Sequence, residues 1–230
     1  MPTKIEAYYN HAWAGQYDDP LQAPRHEALW QALDEVDRPP GAFLDAGCGQ
    51  GELIGEALGR GFGEVIGADL SEAAVRVARE RHPDAALRVH SVEDRPWPLP
   101  ASSCSVVAAF EVIEHLYFPR ELVMGARDVL ASGGVLAVST PYHGRVKSAS
   151  LALRGFDHHF HPEGQHIRFF TDRALHDLLD DCGFDVLDVQ HLGRARFVWK
   201  NVLMIARLTD RDVEDHGALL RDAPPRSRRA

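Results

Sequence analysis

Leu44-Asp45-Ala46-Gly47-Cys48-Gly49-Gln50-Gly51 is the stretch that decides the fold. An apolar run from Ala42 to Ala46 feeds three glycines spaced G-x-G-x-G, and a helical pattern opens directly after them. A second apolar run, Val65-Ile66-Gly67-Ala68, ends in Asp69, twenty residues beyond Gly49. The order is strand, tight turn, helix, strand, acid. Glycine lets the backbone turn sharply and approach a ligand closely, and an acid at the end of the second strand can accept hydrogen bonds from two ribose hydroxyls. The dinucleotide pattern G-x-G-x-x-G is not met, because Glu52 stands where its third glycine belongs. A pyrophosphate needs bare helix N–H groups and is repelled by a carboxylate beside them, so nicotinamide-dependent oxidoreduction is disfavoured.

The alternation continues outward. Strands are expected at Ala42–Ala46, Glu64–Ala68, Leu87–His90, Val106–Phe110 and Gly134–Thr140, and helices at Glu52–Gly59, Glu72–Arg81 and Arg120–Leu130. Several strands are apolar throughout, as when helices cover both faces of a parallel sheet. Ser71 is a natural N-cap, and Ser132-Gly133-Gly134 is expected to end the helix before the fifth strand. Thr171-Asp172 should cap a helix running to Cys182 that Gly183 stops, and Phe184–Leu192 and Phe197–Leu208 can pair as a hairpin around Gly193. The first forty residues read as helical and amphipathic, with Tyr8, Tyr9, Trp13, Tyr17 and Trp30. The whole is one domain over residues 1–230: a helical lid at 1–40, a ligand-binding core at 42–140, a long loop at 141–171, a helix and hairpin at 172–208, and a polar tail at 209–230. Long loops in compact domains are commonly functional.

The 230 residues carry a formal net charge of −9, with 45% hydrophobic and 26% charged residues. That balance suits a soluble globular chain and argues against a general grip on nucleic acid. Three scattered cysteines without C-x-x-C support neither a disulfide framework nor a zinc knuckle. No apolar run reaches membrane-spanning length. A cytoplasmic monomer or homodimer is the expectation.

Polar groups cluster after the fourth strand, in Phe110-Glu111-Val112-Ile113-Glu114-His115-Leu116-Tyr117-Phe118-Pro119. Glu111 and Glu114 are three apart, so a helical turn would put them on one face. Two carboxylates and an imidazole suit a hard or borderline divalent ion. The loop holds His143, His158, His159, His161 and His166. His143 directly follows the fifth strand and is a candidate base or substrate contact. His158 and His159 read as solvated.

LDAGCGQG, with Asp69 at its distance, resembles the first motif of class I S-adenosylmethionine (SAM)-dependent methyltransferases. FEVIEHL resembles a motif of the ubiquinone-pathway O-methyltransferases and of small-RNA 3′-terminal 2′-O-methyltransferases, in which Glu-x-x-Glu-His and a later His bind a divalent metal. That later His matches His166 in Gly164-Gln165-His166-Ile167-Arg168-Phe169-Phe170-Thr171. The resemblance implies an α/β fold, Rossmann-like, with a seven-stranded mostly parallel sheet, a reversed last strand and helices on both faces. SAM carries no phosphate, so Glu52 is tolerable. Asp45, Gly47 and Gly49 would shape the methionine pocket and Asp69 would hold the ribose, with Cys48, Leu70, Val92, Glu93 and Phe110 as further cofactor-binding candidates. Ser91 stands where the family often has an acid toward the adenine amino group. Glu111, Glu114, His115 and His166 would hold Mg²⁺ or another divalent cation. Without metal, His115 or His143 would serve as base with Glu114 behind it. A hydroxyl on a small metabolite, phenolic or sugar, is the expected acceptor. RNA 2′-O-methylation and a non-catalytic SAM-binding partner are the alternatives.

Overall fold

The computed structural model describes residues 19–154, 166–193 and 199–214. In chain order the elements are α1 (Gln22–Glu35), β1 (Ala42–Ala46), α2 (Glu52–Leu58), β2 (Val65–Asp69), α3 (Glu72–Arg81), β3 (Ala86–Val89), β4 (Cys104–Phe110), a 3-10 turn (Ile113–His115), α4 (Pro119–Val129), β5 (Leu130–Pro141), α5 (Arg145–Arg154), α6 (Asp172–Asp181), β6 (Phe184–Leu192) and β7 (Asn201–Leu208). The seven strands form one sheet in the order β3-β2-β1-β4-β5-β7-β6. β1 to β5 are parallel, and β7 runs antiparallel to both β5 and β6. The expected reversed last strand is therefore present.

The strands are built as their composition requires. β1 is buried at all five positions and β4 at six of seven, because the sheet has apolar cover on both faces. One cluster joins Leu44, Ile66, Val107, Leu136 and Met204 to Leu122, Leu175 and Leu179. The other joins Phe43, Val65, Val106 and Ile205 to Leu29, Leu33 and Ile54. Each fully buried side chain of this size contributes about 1.5–3 kcal/mol. Trp30 lies over Phe43 at 5.5 Å between ring centroids. Its indole N–H and the His26 ring meet the two oxygens of Glu56, at 2.6 and 2.7 Å, fastening α1 to α2.

Both expected caps form. Ser71 Oγ accepts from Ala74 N–H, and Thr171 Oγ1 from Ala174 N–H, each at 3.2 Å. Three expectations need correction. First, α4 ends at Val129 rather than at Ser132-Gly133-Gly134. The extended chain starts at the buried Leu130, which pairs with Cys104, and residues up to Val135 bulge out before pairing resumes at Val106. Gly133, at φ 75°, makes that bulge possible. Second, the loop at 141–171 contains α5. Val146 and Leu153 on it are exposed, so no core-facing periodicity announces this helix. Third, the tail is docked at its start. Thr209 Oγ1 donates to Gly183 C=O at 2.8 Å, and Arg211 ion-pairs with Asp180 and Asp185. Tyr8, Tyr9, Trp13, Tyr17, His158, His159, His161 and residues 215–230 lie outside the described residues.

No helix separates β3 from β4. A Pro-rich turn fills that place, with Trp97 buried and its indole N–H donating to Val92 C=O at 3.1 Å. α4 passes over Trp97 at Gly125, where a Cβ would overlap the indole. Among the described residues no helix is long and apolar enough to cross a membrane.

Candidate active site

Strand order reverses between β1 and β4, and ligands of open α/β sheets bind outside the strands' C-terminal ends at such a point. The turn after β1 lies there. Gly47, Gly49 and Gly51 have φ of 94°, 51° and 88°, which L side chains rarely adopt. The N–H groups of Gly47 and Cys48 both donate to Ala68 C=O, at 2.7 and 3.0 Å, tying the turn to β2. Asp69 Oδ2 accepts from Gly49 N–H at 3.0 Å and Oδ1 from Ser71 N–H at 2.8 Å. Its carboxyl is pushed upward by burial, an effect those two N–H bonds oppose. Asp45, buried beneath the same turn, is raised to about 8 by burial, with Asp69 and Glu52 adding to the effect. Two buried acids crowd this edge, and a positive ligand group would relieve both.

The Cys48 thiol is buried, donating to Gly49 C=O at 3.8 Å, and a Cβ on Gly67 would come within 3.0 Å of Sγ. Leu70 is half-buried, Val92 is buried, and Phe110 is half-buried with its ring 6.1 Å from that of His26. Glu93 Oε1 accepts from Phe118 N–H at 2.6 Å, which fastens the turn after β3 to the segment beyond the 3-10 turn. Ser91 Oγ accepts from Glu93 N–H at 3.3 Å.

The second half of the site follows β4. Glu114 is 1% exposed. Its Oε2 accepts from Thr140 Oγ1 at 3.0 Å. Its Oε1 is buried, without a hydrogen-bond partner among the described residues, 3.9 Å from His115 Nε2. Burial, then repulsion from Glu111, holds the Glu114 carboxyl well above the carboxylate range. The His166 ring meets the His115 ring edge-on at 4.9 Å. Loss of water around it keeps the His166 imidazole below its ordinary pKa, although Glu111 pulls the other way. One ligand atom from each of Glu114, His115 and His166 lies within 4.8 Å of the others.

Glu111 is not brought into that group. It has φ 56°, so the chain swings round before the 3-10 turn begins at Ile113, and the i,i+3 reasoning fails. Its Oε1 instead accepts from Asn201 Nδ2 at 2.7 Å and Ser139 Oγ at 3.0 Å. Residues held in such backbone conformations by their surroundings cluster at functional sites. His143 is buried with its ring 4.9 Å from Phe169, and it too lies outside the group of three.

Arg25, Asn201 and Lys147 were not singled out from the sequence. Arg25 on α1 is 4% exposed and ion-pairs with Asp19. Its Nη1 lies 3.8 Å from Glu111 Oε2, and among the described residues Nε and Nη1 have no hydrogen-bond partner. Buried guanidinium donors without acceptors are costly. Lys147 Nζ donates to Tyr142 C=O at 2.6 Å, and burial lowers its pKa. Only the inward turn of α1 could have revealed Arg25.

A methyltransferase-domain family model matches residues 14–189. A Mycolicibacterium smegmatis protein described as a probable S-adenosylmethionine-dependent methyltransferase is 37% identical over 168 residues, 71% of this chain and 59% of its own length. The chain thus spans less than two thirds of that relative. A ubiquinone biosynthesis O-methyltransferase of Roseobacter denitrificans is 32% identical over 218 residues, 92% of this chain and 80% of its own length. The solved magnesium protoporphyrin IX methyltransferase of Synechocystis, with bound SAH, shares the fold at a TM-score of 0.66 and 14% identity, over 89% of this chain and 98% of that one. A family model across most of the chain, and a relative matched over most of both lengths, agree with the glycine turn, the Asp69 carboxylate and the reversed β7: this chain belongs to the class I SAM-dependent methyltransferases.

Proposed function

We propose that this methyltransferase transfers the methyl group to a hydroxyl of a small metabolite, phenolic or sugar, bound beside Glu114, His115 and His166. The observation that carries the reading is the buried Glu114 carboxyl, whose Oε1, without a hydrogen-bond partner among the described residues, lies 3.9 Å from His115 Nε2. SAM supplies an electrophilic methyl on a cationic sulfonium. The acids under the glycine turn, Asp45 and Asp69, suit that cation, and the buried Arg25 guanidinium suits the methionine carboxylate. The turn itself fits a ligand pressed against backbone, because Gly47 has no room for a Cβ beside Val112.

His115 takes the proton from the acceptor hydroxyl, and Glu114, with Oε1 3.9 Å from His115 Nε2, orients the imidazole. Holding hydroxyl and methyl in line accounts for most of what alignment can contribute. His143 is the second candidate base. The three ligand atoms also fit a divalent cation chemically, with one carboxylate and two imidazoles. Their spread of up to 4.8 Å must contract, since ligands sit about 2.1 Å from such an ion. A cation there would lower the hydroxyl pKa and would require Glu114 to lose its proton. Glu111 would act from outside, as a neighbouring negative charge.

The test is a labelled-methyl SAM assay against a panel of catechols, phenols and sugars, with the enzyme as purified, after EDTA, and after Mn²⁺ or Mg²⁺ is restored. Transfer to a hydroxyl that is lost in His115→Ala supports the reading, and transfer only to carbon, nitrogen or sulfur acceptors refutes it. Full activity in chelator leaves His115 as base and removes the metal. Loss with EDTA, recovery with metal and abolition in His166→Ala support the three-ligand site.

A further inference from the structure

The segment that carries His166 is joined to the turn that carries Glu114 and His115 by four hydrogen bonds. The N–H groups of Ile167 and Arg168 both donate to Glu114 C=O, at 2.9 and 3.0 Å. The Arg168 guanidinium then reaches across the chain. Its Nε donates to Leu116 C=O at 3.3 Å and its Nη2 to Tyr117 C=O at 2.6 Å. On the opposite side of the same stretch, Glu93 Oε1 accepts from Phe118 N–H at 2.6 Å. Residues 116–118 are thus gripped from two directions. Arg168 holds the carbonyls of Leu116 and Tyr117, and Glu93 holds the Phe118 amide from the turn after β3. The two grips are of opposite charge, and the Arg168 guanidinium favours the charged form of Glu93.

We infer that Arg168 is a positioning residue that, with Glu93 opposite, sets the separation of His115 and His166. The inference rests on the reading of these histidines as the acceptor site. Its physical basis is the geometry of the fork. A planar guanidinium presents two donors at fixed spacing, which matches two successive carbonyls. An ammonium would satisfy one and leave the other to solvent. With His166 two residues upstream of Arg168 and His115 one residue before Leu116, the fork fixes the strand-to-turn distance where the two rings meet at 4.9 Å. The Glu93 grip ties the same turn to the loop on the cofactor side, so both halves of the site share one rigid connection.

The experiment uses the full chain with imidazole-labelled histidine, and reads the His115–His166 inter-ring NOE alongside calorimetric binding of S-adenosylhomocysteine. In Arg168→Ala the NOE should fall several-fold while the product still binds as in wild type. Millimolar guanidinium should restore the NOE, which a general loss of stability would not allow. Arg168→Lys, one donor short, should give an intermediate NOE, and it serves as the primary variant if the alanine form does not fold. A wild-type NOE in both variants overturns the inference, as does loss of product binding in parallel with the NOE, which would mean collapse rather than mispositioning. If instead the NOE falls as expected but His166→Ala transfers methyl groups at full rate, the clamp stands and the acceptor-site reading fails.

Discussion

Gly47→Ala places one methyl where the backbone, the next strand and the cofactor site meet. Two penalties follow from the geometry. The first is conformational: at φ 94° an alanine is strained by about 1–2 kcal/mol. The second is steric. The new Cβ would fall far inside contact with Val112 Cγ2, and overpacking of this kind costs about 1–3 kcal/mol. The sum, about 2–5 kcal/mol, corresponds to roughly 2–4 °C in Tm for each kcal/mol in a domain of this size. The two parts separate in a double-mutant cycle. Val112→Ala removes the clashing methyl but leaves the backbone strain, so the double variant should recover the steric part alone. Urea unfolding of the four proteins measures this. Additive losses would show that Val112 does not set the limit at Gly47. A single-variant loss under about 1 kcal/mol would refute both the strain and the crowding.

Asp45→Asn should change the pH dependence of stability. The folded chain keeps a proton on Asp45 up to about 8, whereas its ordinary value is 3.8. Between those values the folded state binds the extra proton, so stability falls as pH rises, by about 1.4 kcal/mol per unit at most. Urea midpoints across that window should slope less in the variant, and identical slopes would sink the assignment. Arg25→Met should weaken S-adenosylhomocysteine binding by about 1.5–3 kcal/mol, the worth of hydrogen bonds to a charged group. Unchanged calorimetric affinity would remove Arg25 from the methionine end. Asp69→Ala should lose a comparable amount of affinity and also some stability, because Gly49 N–H and Ser71 N–H lose their acceptor. A stable protein with wild-type affinity would displace the ribose assignment. If a metal sits at Glu114, its affinity should rise with pH as the Glu114 proton leaves, checked by Mn²⁺ titration; a flat profile contradicts that coupling.

The glycine turn was legible because its geometry is local. Gly47, Gly49 and Gly51 announce positive φ wherever they stand, and the distance to Asp69 is fixed by one helix and one strand. The acceptor half depends on contacts across the chain. Asn201 reaches Glu111 over ninety positions, and nothing near Asn201 in the sequence points there. Glu111 was grouped with Glu114 on the assumption of continuous helix, and its positive φ breaks that assumption. Glu93 was legible as an acid near the third strand, but its use as a cap for the Phe118 amide is a tertiary fact. α5 was missed because it buries too little apolar surface to leave a period, whereas α6 was legible through Leu175 and Leu179. Arg25 looked like any other charge on an amphipathic helix.

The reversal of β7 has a consequence for how such an enzyme can diverge. A strand inserted against the prevailing direction delivers its beginning, not its end, to the ligand edge, which is how Asn201 arrives beside Glu111. The end of β6 at Leu192 and the start of β7 at Asn201 therefore lie at the same edge as the segments after β4 and β5. Length and composition can change at this edge without disturbing the glycine turn or Asp69, which belong to β1 and β2. One half of the molecule can stay constant for a common donor while the other is rewritten for each new acceptor.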